Sequence, residues 1–209
     1  MIGREAKRSV GSAGSEPPRH RGPWCNRAVI LVTLGVSACQ PALGWVGGQM
    51  MLSASDPRLW QFFSYALVHE GLVHLVGNLL ALSLFGGVVN VRLGHLGYLG
   101  LYLSGAVFAG TAWLATARYG FLLGASGSAG AVMGAYLAAA PRGVLQVGRA
   151  GGRHVCVPGW AVIAAYFLFN LWMSFHSSGT VAYQAHVAGI LYGFALARGL
   201  LAAAPPRVA

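Results

Sequence analysis

The sequence predicts an all-α membrane protein, a single bundle of six transmembrane helices. Three observations carry this. The chain of 209 residues is 56% hydrophobic and only 9% charged, against roughly 25% charged residues in an average soluble domain. Its apolar residues fall into six runs, each near the ~20 residues a helix needs to cross a bilayer. Of its four acids, Glu5, Glu16, Asp56 and Glu70, Glu70 alone lies inside an apolar run.

Residues 1–27 are polar, basic and rich in Gly, Ser and Pro, the composition of a disordered tail. The first span is expected over 28–48. The segment "VSAC" (36–39) within it imitates a lipoprotein cleavage signal, but the long polar stretch before it and the apolar residues beyond Pro41 argue against cleavage. Further spans follow at 62–86, 96–117, 121–140, 157–175 and 181–203. Together, 28–204 make one helical membrane domain, and 205–209 a short tail. With the N-terminus in the cytoplasm, the cytoplasmic segments (the N-terminal tail, 87–95, 141–156 and the C-terminal end) hold twelve of the fourteen Lys and Arg. The other face keeps Arg58 and Arg118. That asymmetry is a positive-inside signal and agrees with an even number of spans. The net charge of +10 thus reflects membrane orientation rather than nucleic-acid binding. Cys25, Cys39 and Cys156 have neither metal-ligand spacing nor the pattern of a disulfide framework.

Ionisable and polar groups inside membrane spans are costly, so each is a functional candidate. "HEGLVH" (69–74) resembles the zinc-protease helix H-E-x-x-H. That helix needs its histidines at i and i+4, about 40° apart, whereas a five-residue separation places them about 140° apart on a regular helix. A metalloprotease reading therefore fails on spacing. His74 and Asn78 are four residues apart and share a face. Alone, Asn78 reads as an interhelical hydrogen bond; as a pair, they offer two donors suited to a developing oxyanion.

In "GASGSAGAVMGAY" (124–136), Ser126 opens the fourth span, and Gly127, Gly130, Gly134 and Ala138 form a stripe of small residues. In the sixth span, Ala182, His186, Gly189, Gly193 and Ala197 form a second. Such stripes let helices approach closely. If the two pack together, Ser126 meets His186, and a serine beside a histidine base is an activated nucleophile. His74, Ser126 and His186 all lie in the outer halves of spans that run in the same direction, with Asn78 one turn deeper. No aspartate is placed to orient His186, so a Ser-His dyad is expected.

These residues resemble the rhomboid intramembrane serine proteases over about Trp60 to Ala197. The resemblance rests on H-x4-H-x3-N (His69, His74, Asn78), G-x-S-G (Gly124 to Gly127) and A-H-x2-G-x3-G (Ala185, His186, Gly189, Gly193), with "GAYLAAAPR" (134–142) also similar. It implies a rhomboid-like bundle open to the extracytoplasmic side. Ser126 would be the nucleophile and His186 the base and then the acid. His74, Asn78 and the Ser126 N–H would form the oxyanion hole, and His69, Gly124 and Gly127 would be surroundings of the site, His69 in its water-retaining part. No metal or cofactor is implied. The substrates would be single-span membrane proteins, and the location a bacterial inner membrane. Two departures stand out. The aromatic residue that many rhomboids carry four positions after the serine is Gly130 here, so another residue must position His186. The Trp-Arg pair of the first loop is Trp60-Gln61. The rival readings are a non-catalytic rhomboid-like protein that binds transmembrane helices, and a small transporter, for which no internal repeat is visible.

Overall fold

The computed structural model describes residues 22–150, 153–177 and 181–203, and it is mostly helical. The expected tails, 1–21 and 204–209, lie outside the described residues. Residues 24–27, assigned to the tail from sequence, instead form the first turn of α1, Trp24–Leu43. Asn26 is the reason: it is 3% exposed and points into the bundle. The chain then turns at Gly44 into a short α2, Trp45–Met50.

The expected second span, 62–86, divides differently. Its first part leaves the bundle helix and forms α3, Gln61–Ser64, and a 3-10 turn, Tyr65–Leu67. Gln61, where the family carries arginine, is buried and organises this region with a neutral amide. Its Oε1 accepts from the N–H groups of Ser53 and Arg58 at 3.3 and 3.0 Å, and its Nε2 donates to the Gln49 carbonyl at 3.2 Å. The bundle helix begins later, as α4, Gly71–Ala81. It runs through a π-helical turn, Leu82–Gly86, into α5, Gly87–Leu114. The segment 87–95, read from sequence as a loop, is thus helical except at Gly94. There φ is +75°, a conformation open to glycine at little cost, and the helix direction breaks.

A π-turn leaves the helical ladder irregular, and in an apolar medium the freed groups need partners from the protein. Asn26 supplies one: its Nδ2 donates to the Leu82 carbonyl at 3.2 Å. Its Oδ1 accepts from the Tyr98 hydroxyl at 2.5 Å, and its own N–H donates to Asn90 Oδ1 at 3.1 Å. A Cβ on Gly86 would collide with the Asn26 amide, so the close seating of α1 on the π-turn depends on that glycine.

After a two-residue strand, β2, Phe121–Leu122, which pairs antiparallel with β1, Leu52–Ser53, comes α6, Ser126–Ala139. Only 14 residues long, it is buried along nearly its whole length, Gly127 to Tyr136 without a break. The all-α expectation needs a second correction at 144–158, where β3, Val144–Ala150, and β4, Arg153–Pro158, form an antiparallel hairpin with an irregular register between Gln146 and Gly148. α7, Gly159–His176, and α8, Tyr183–Ala203, complete the fold.

Among the described residues, two helical stretches qualify by length and composition to cross a membrane: Gly71–Leu114, 44 residues interrupted at Gly94, and Tyr183–Ala203. The expected count of six spans is not reached by these criteria. α6, at 14 residues, is too short to qualify.

The two small-residue stripes meet. A Cβ on Gly189 would run into the Gly127 carbonyl, one on Gly193 into the Ala131 carbonyl, and one on Gly134 into the Ile190 carbonyl. On its other side α6 touches α5, where a Cβ on Gly105 would come within 2.6 Å of Ala131 Cβ, and one on Gly127 within 2.5 Å of Ala109 Cβ. Gly193→Leu is expected to destabilise the protein by at least about 1–3 kcal/mol through overpacking. Gly77→Ala, on α4 with open space around it, is expected to be neutral or to stabilise by up to about 1 kcal/mol through helix propensity. Thermal unfolding of both variants in one detergent checks the contrast.

Candidate active site

Ser126 is the first residue of α6, and His186 lies in the first turn of α8. With the stripes interlocked, His186 Nε2 stands 2.8 Å from Ser126 Oγ. The pair expected from sequence is therefore in hydrogen-bond contact.

The other ring nitrogen was not accounted for by sequence reasoning. His186 Nδ1 lies 2.7 Å from Oδ1 of Asn170, a side chain of α7 that is 1% exposed. The Asn170 amide is oriented by a second bond, in which its Nδ2 donates to the Tyr166 carbonyl at 2.7 Å. Reversing the amide would set two acceptors against each other, so Oδ1 faces the imidazole. Nδ1 must then carry the proton and donate, which leaves Nε2 as acceptor for the Ser126 hydroxyl. The Tyr166 ring, one turn before Asn170, stacks on His186 with centroids 6.0 Å apart and planes 28° apart. It takes the place of the aromatic that is missing at Gly130. A Cβ at Gly130 would lie 3.1 Å from the His186 carbonyl, a tight approach of the two helices at this level. The expected dyad thus has a third side chain behind it, an amide rather than a carboxylate. The available signal was the spacing of Tyr166 and Asn170, four residues apart on one face of an apolar helix.

His74 and Asn78 do share a face of α4 and both reach Gly124, two residues before the serine. A Cβ there would lie 2.5 Å from His74 Nε2 and 3.6 Å from Asn78 Nδ2. Gly124 has φ +106°, so both its backbone and its surroundings exclude a larger residue. Asn78 Nδ2 donates one hydrogen to the His74 carbonyl at 3.1 Å, and a carboxamide has a second to offer.

His69 precedes α4 instead of lying on it, so the helical angle used to separate it from His74 does not apply. The two rings meet edge to face, with centroids 5.1 Å apart. His69 nevertheless has no free nitrogen for a metal. Its Nε2 accepts from the Ala125 N–H at 3.1 Å, which places the proton of the neutral ring on Nδ1, 3.0 Å from Ser37 Oγ. Ser37 in turn donates to the Leu67 carbonyl at 3.0 Å, and the His69 N–H donates to Gln40 Oε1 at 2.9 Å. With the Gly124 N–H donating to the Tyr65 carbonyl at 2.9 Å, the backbone just ahead of the serine is bonded at two consecutive residues. A cleft of about 610 Å³ between α1, α2 and α4 reaches His69. Glu70, beside it, is exposed.

Comparison with known proteins identifies a family. The family pattern described as "Rhomboid domain" matches residues 56–203. The chain is 31% identical to Rhomboid-related protein 2 of Mus musculus over 144 residues, 66% of this chain and 46% of that protein. It is 30% identical to Rhomboid protease GlpG of Pectobacterium atrosepticum over 173 residues, 80% of this chain and 57% of that protein. The pattern covers more than half of the chain, and the chain belongs to the rhomboid family, which is membrane-embedded. It spans about half the length of the curated relatives it matches.

His69→Leu leaves the buried Ala125 N–H without its acceptor, at a cost of about 1–3 kcal/mol. The expected result is a lower unfolding midpoint with faster amide exchange at Ala125, read by hydrogen-exchange mass spectrometry.

Proposed function

We propose that this chain is an intramembrane serine protease that hydrolyses peptide bonds in or near the transmembrane segments of single-span membrane proteins. The observation that carries the reading is the 2.8 Å contact between Ser126 Oγ and His186 Nε2, held between two helices whose backbones touch. The protease named among its relatives supports the same activity.

The chemistry follows from the site. His186 Nε2 takes the hydroxyl proton as Ser126 Oγ bonds to the substrate carbonyl carbon, and the carbonyl electron pair moves onto oxygen. His74, the free hydrogen of the Asn78 amide and the Ser126 N–H, unpaired within a helix at its first turn, are the donors for that oxyanion. Collapse breaks the C–N bond, and the amine leaves with the proton from Nε2. A water molecule then attacks the acyl carbon and gives its proton to Nε2; collapse breaks the C–Oγ bond, Nε2 hands that proton to Ser126 Oγ, and the carboxylic acid leaves. This mechanism uses neither metal nor cofactor.

In this reading six helical units cross the bilayer: α1, 71–93, 95–114, α6, α7 and α8, with the break at Gly94 separating the second from the third. The N-terminus is cytoplasmic by the asymmetry of Lys and Arg, the site opens to the other side, and the setting is a bacterial inner membrane.

Purified protein in liposomes should cleave a model single-span substrate, and Ser126→Ala and His186→Ala should each reduce cleavage to background. Cleavage surviving Ser126→Ala would reject the mechanism. A wild type that neither cleaves nor is labelled at Ser126 by a fluorophosphonate would favour a non-catalytic protein that binds transmembrane helices. Loss of one oxyanion donor, by His74→Ala or Asn78→Ala, is expected to lower kcat by about 10²–10³. Gly124→Ala should lower it at least as far by displacing the His74 ring, with KM changed less than kcat in all three.

A further inference from the structure

We infer that Asn170 and Tyr166 of α7 are positioning residues for His186, so that this site works as a Ser-His-Asn relay assembled from three helices. The inference rests on the protease reading for its consequence but not for its geometry.

Three observations carry it. Asn170 is polar, 1% exposed and located in the middle of a mostly apolar helix. Both ends of its amide are used, Nδ2 toward the Tyr166 carbonyl and Oδ1 toward His186 Nδ1. The Tyr166 ring lies against the face of the same imidazole. An unanchored neutral imidazole divides between two tautomers and several ring angles, and only the tautomer with the proton on Nδ1 can accept from Ser126. Asn170 selects that tautomer through a bond it can make only as an acceptor, while Tyr166 fixes the plane of the ring. When Nε2 takes the serine proton, the Nδ1–H bond to Asn170 Oδ1 becomes charge-assisted and strengthens. The contact therefore favours the imidazolium formed along the reaction path, as the carboxylate does in a Ser-His-Asp triad, with a neutral oxygen in place of a charged one. The other titratable groups facing His186 are His74 from α4, Tyr166 from α7 and Tyr183 from its own helix.

The test combines kinetics with a spectroscopic signature. In full-length protein in detergent, with the His186 signals assigned by His186→Gln, ¹⁵N spectra of the imidazole nitrogens should show a protonated Nδ1 and an unprotonated Nε2 at high pH. Asn170→Leu, similar in volume and without an acceptor, should mix the two tautomers and lower kcat about 10–100-fold with KM nearly unchanged. It should also move the acid limb of the kcat/KM profile to lower pH, because the imidazolium loses an acceptor. Asn170→Asp keeps the acceptor and adds a negative charge, so it should retain more activity than Asn170→Leu and move the acid limb to higher pH. A residue that serves only packing would leave the limb in place in both variants. Tyr166→Phe, which keeps the ring, should stay near wild type, and Tyr166→Leu should fall toward Asn170→Leu. An unchanged tautomer in Asn170→Leu, or acid limbs that do not separate in opposite directions, overturns the inference while the protease reading stands. A wild type without activity defeats the protease reading, and the ¹⁵N comparison then decides the relay alone.

Discussion

The structure depends on one contact, the touching backbones of α6 and α8. In lipid, apolar side chains gain little by leaving their surroundings for each other, and helix association rests on close packing and on polar contacts. Here the packing is as close as a polypeptide allows. Gly189 and Gly193 of α8 seat on carbonyls of α6, and Gly134 of α6 seats on one of α8. Interlocking in both directions fixes rotation and register together, since a slip of one residue would put a Cβ where a carbonyl now sits. Ser126 and His186 occupy the same end of this lock. Their 2.8 Å separation is therefore set by backbone contact, the stiffest element available, and the side chains need only adopt the rotamers that meet.

The second layer of organisation is the satisfaction of irregular backbone. Non-helical chain is tolerated at membrane depth only where the protein supplies its hydrogen bonds, and a serine exposed at a helix start requires a non-helical approach. Tyr65 and His69 receive the Gly124 and Ala125 N–H groups, while Gln61 and Gln40 bond the segments leading there. The same logic operates at the other end of the bundle, where Asn26 meets the π-turn. Buried polar groups in this protein thus serve both chemistry and the backbone, and His69, at the centre of the site's sequence signature, is bonded as one of the latter.

The division between what the sequence reveals and what it hides follows from this. Ser126, His186 and the two glycine stripes were legible because each is a local pattern with a steep penalty for any other residue. The span limits at 71–93 were not, because α3 and the π-turn belong to one apolar stretch whose composition gives no boundary. The hairpin 144–158 did carry a signal, alternating apolar residues on either side of Gly151-Gly152, masked by the expectation of a basic loop. Asn26 and Asn170 were hidden for a different reason. An amide in an apolar run is legible as unusual, but its partners, Leu82, Tyr98 and His186, are between 16 and 72 residues away and are chosen by packing.

Gly130 links the two layers. Its missing side chain admits the α8 backbone at the level of His186, with the His186 carbonyl already 3.1 Å from where a Cβ would stand. The same absence removes the position from which an aromatic ring on α6 could hold the histidine. With glycine at 130, α6 offers no ring to the histidine, and α7 brings one. A tyrosine placed there brings a residue one turn later to the same imidazole, on its Nδ1 edge. That place suits a side chain that accepts on one side and donates to its own helix on the other. Asparagine meets both requirements at 170, and the ring at 166 covers the imidazole that α6, with glycine at 130, leaves without one.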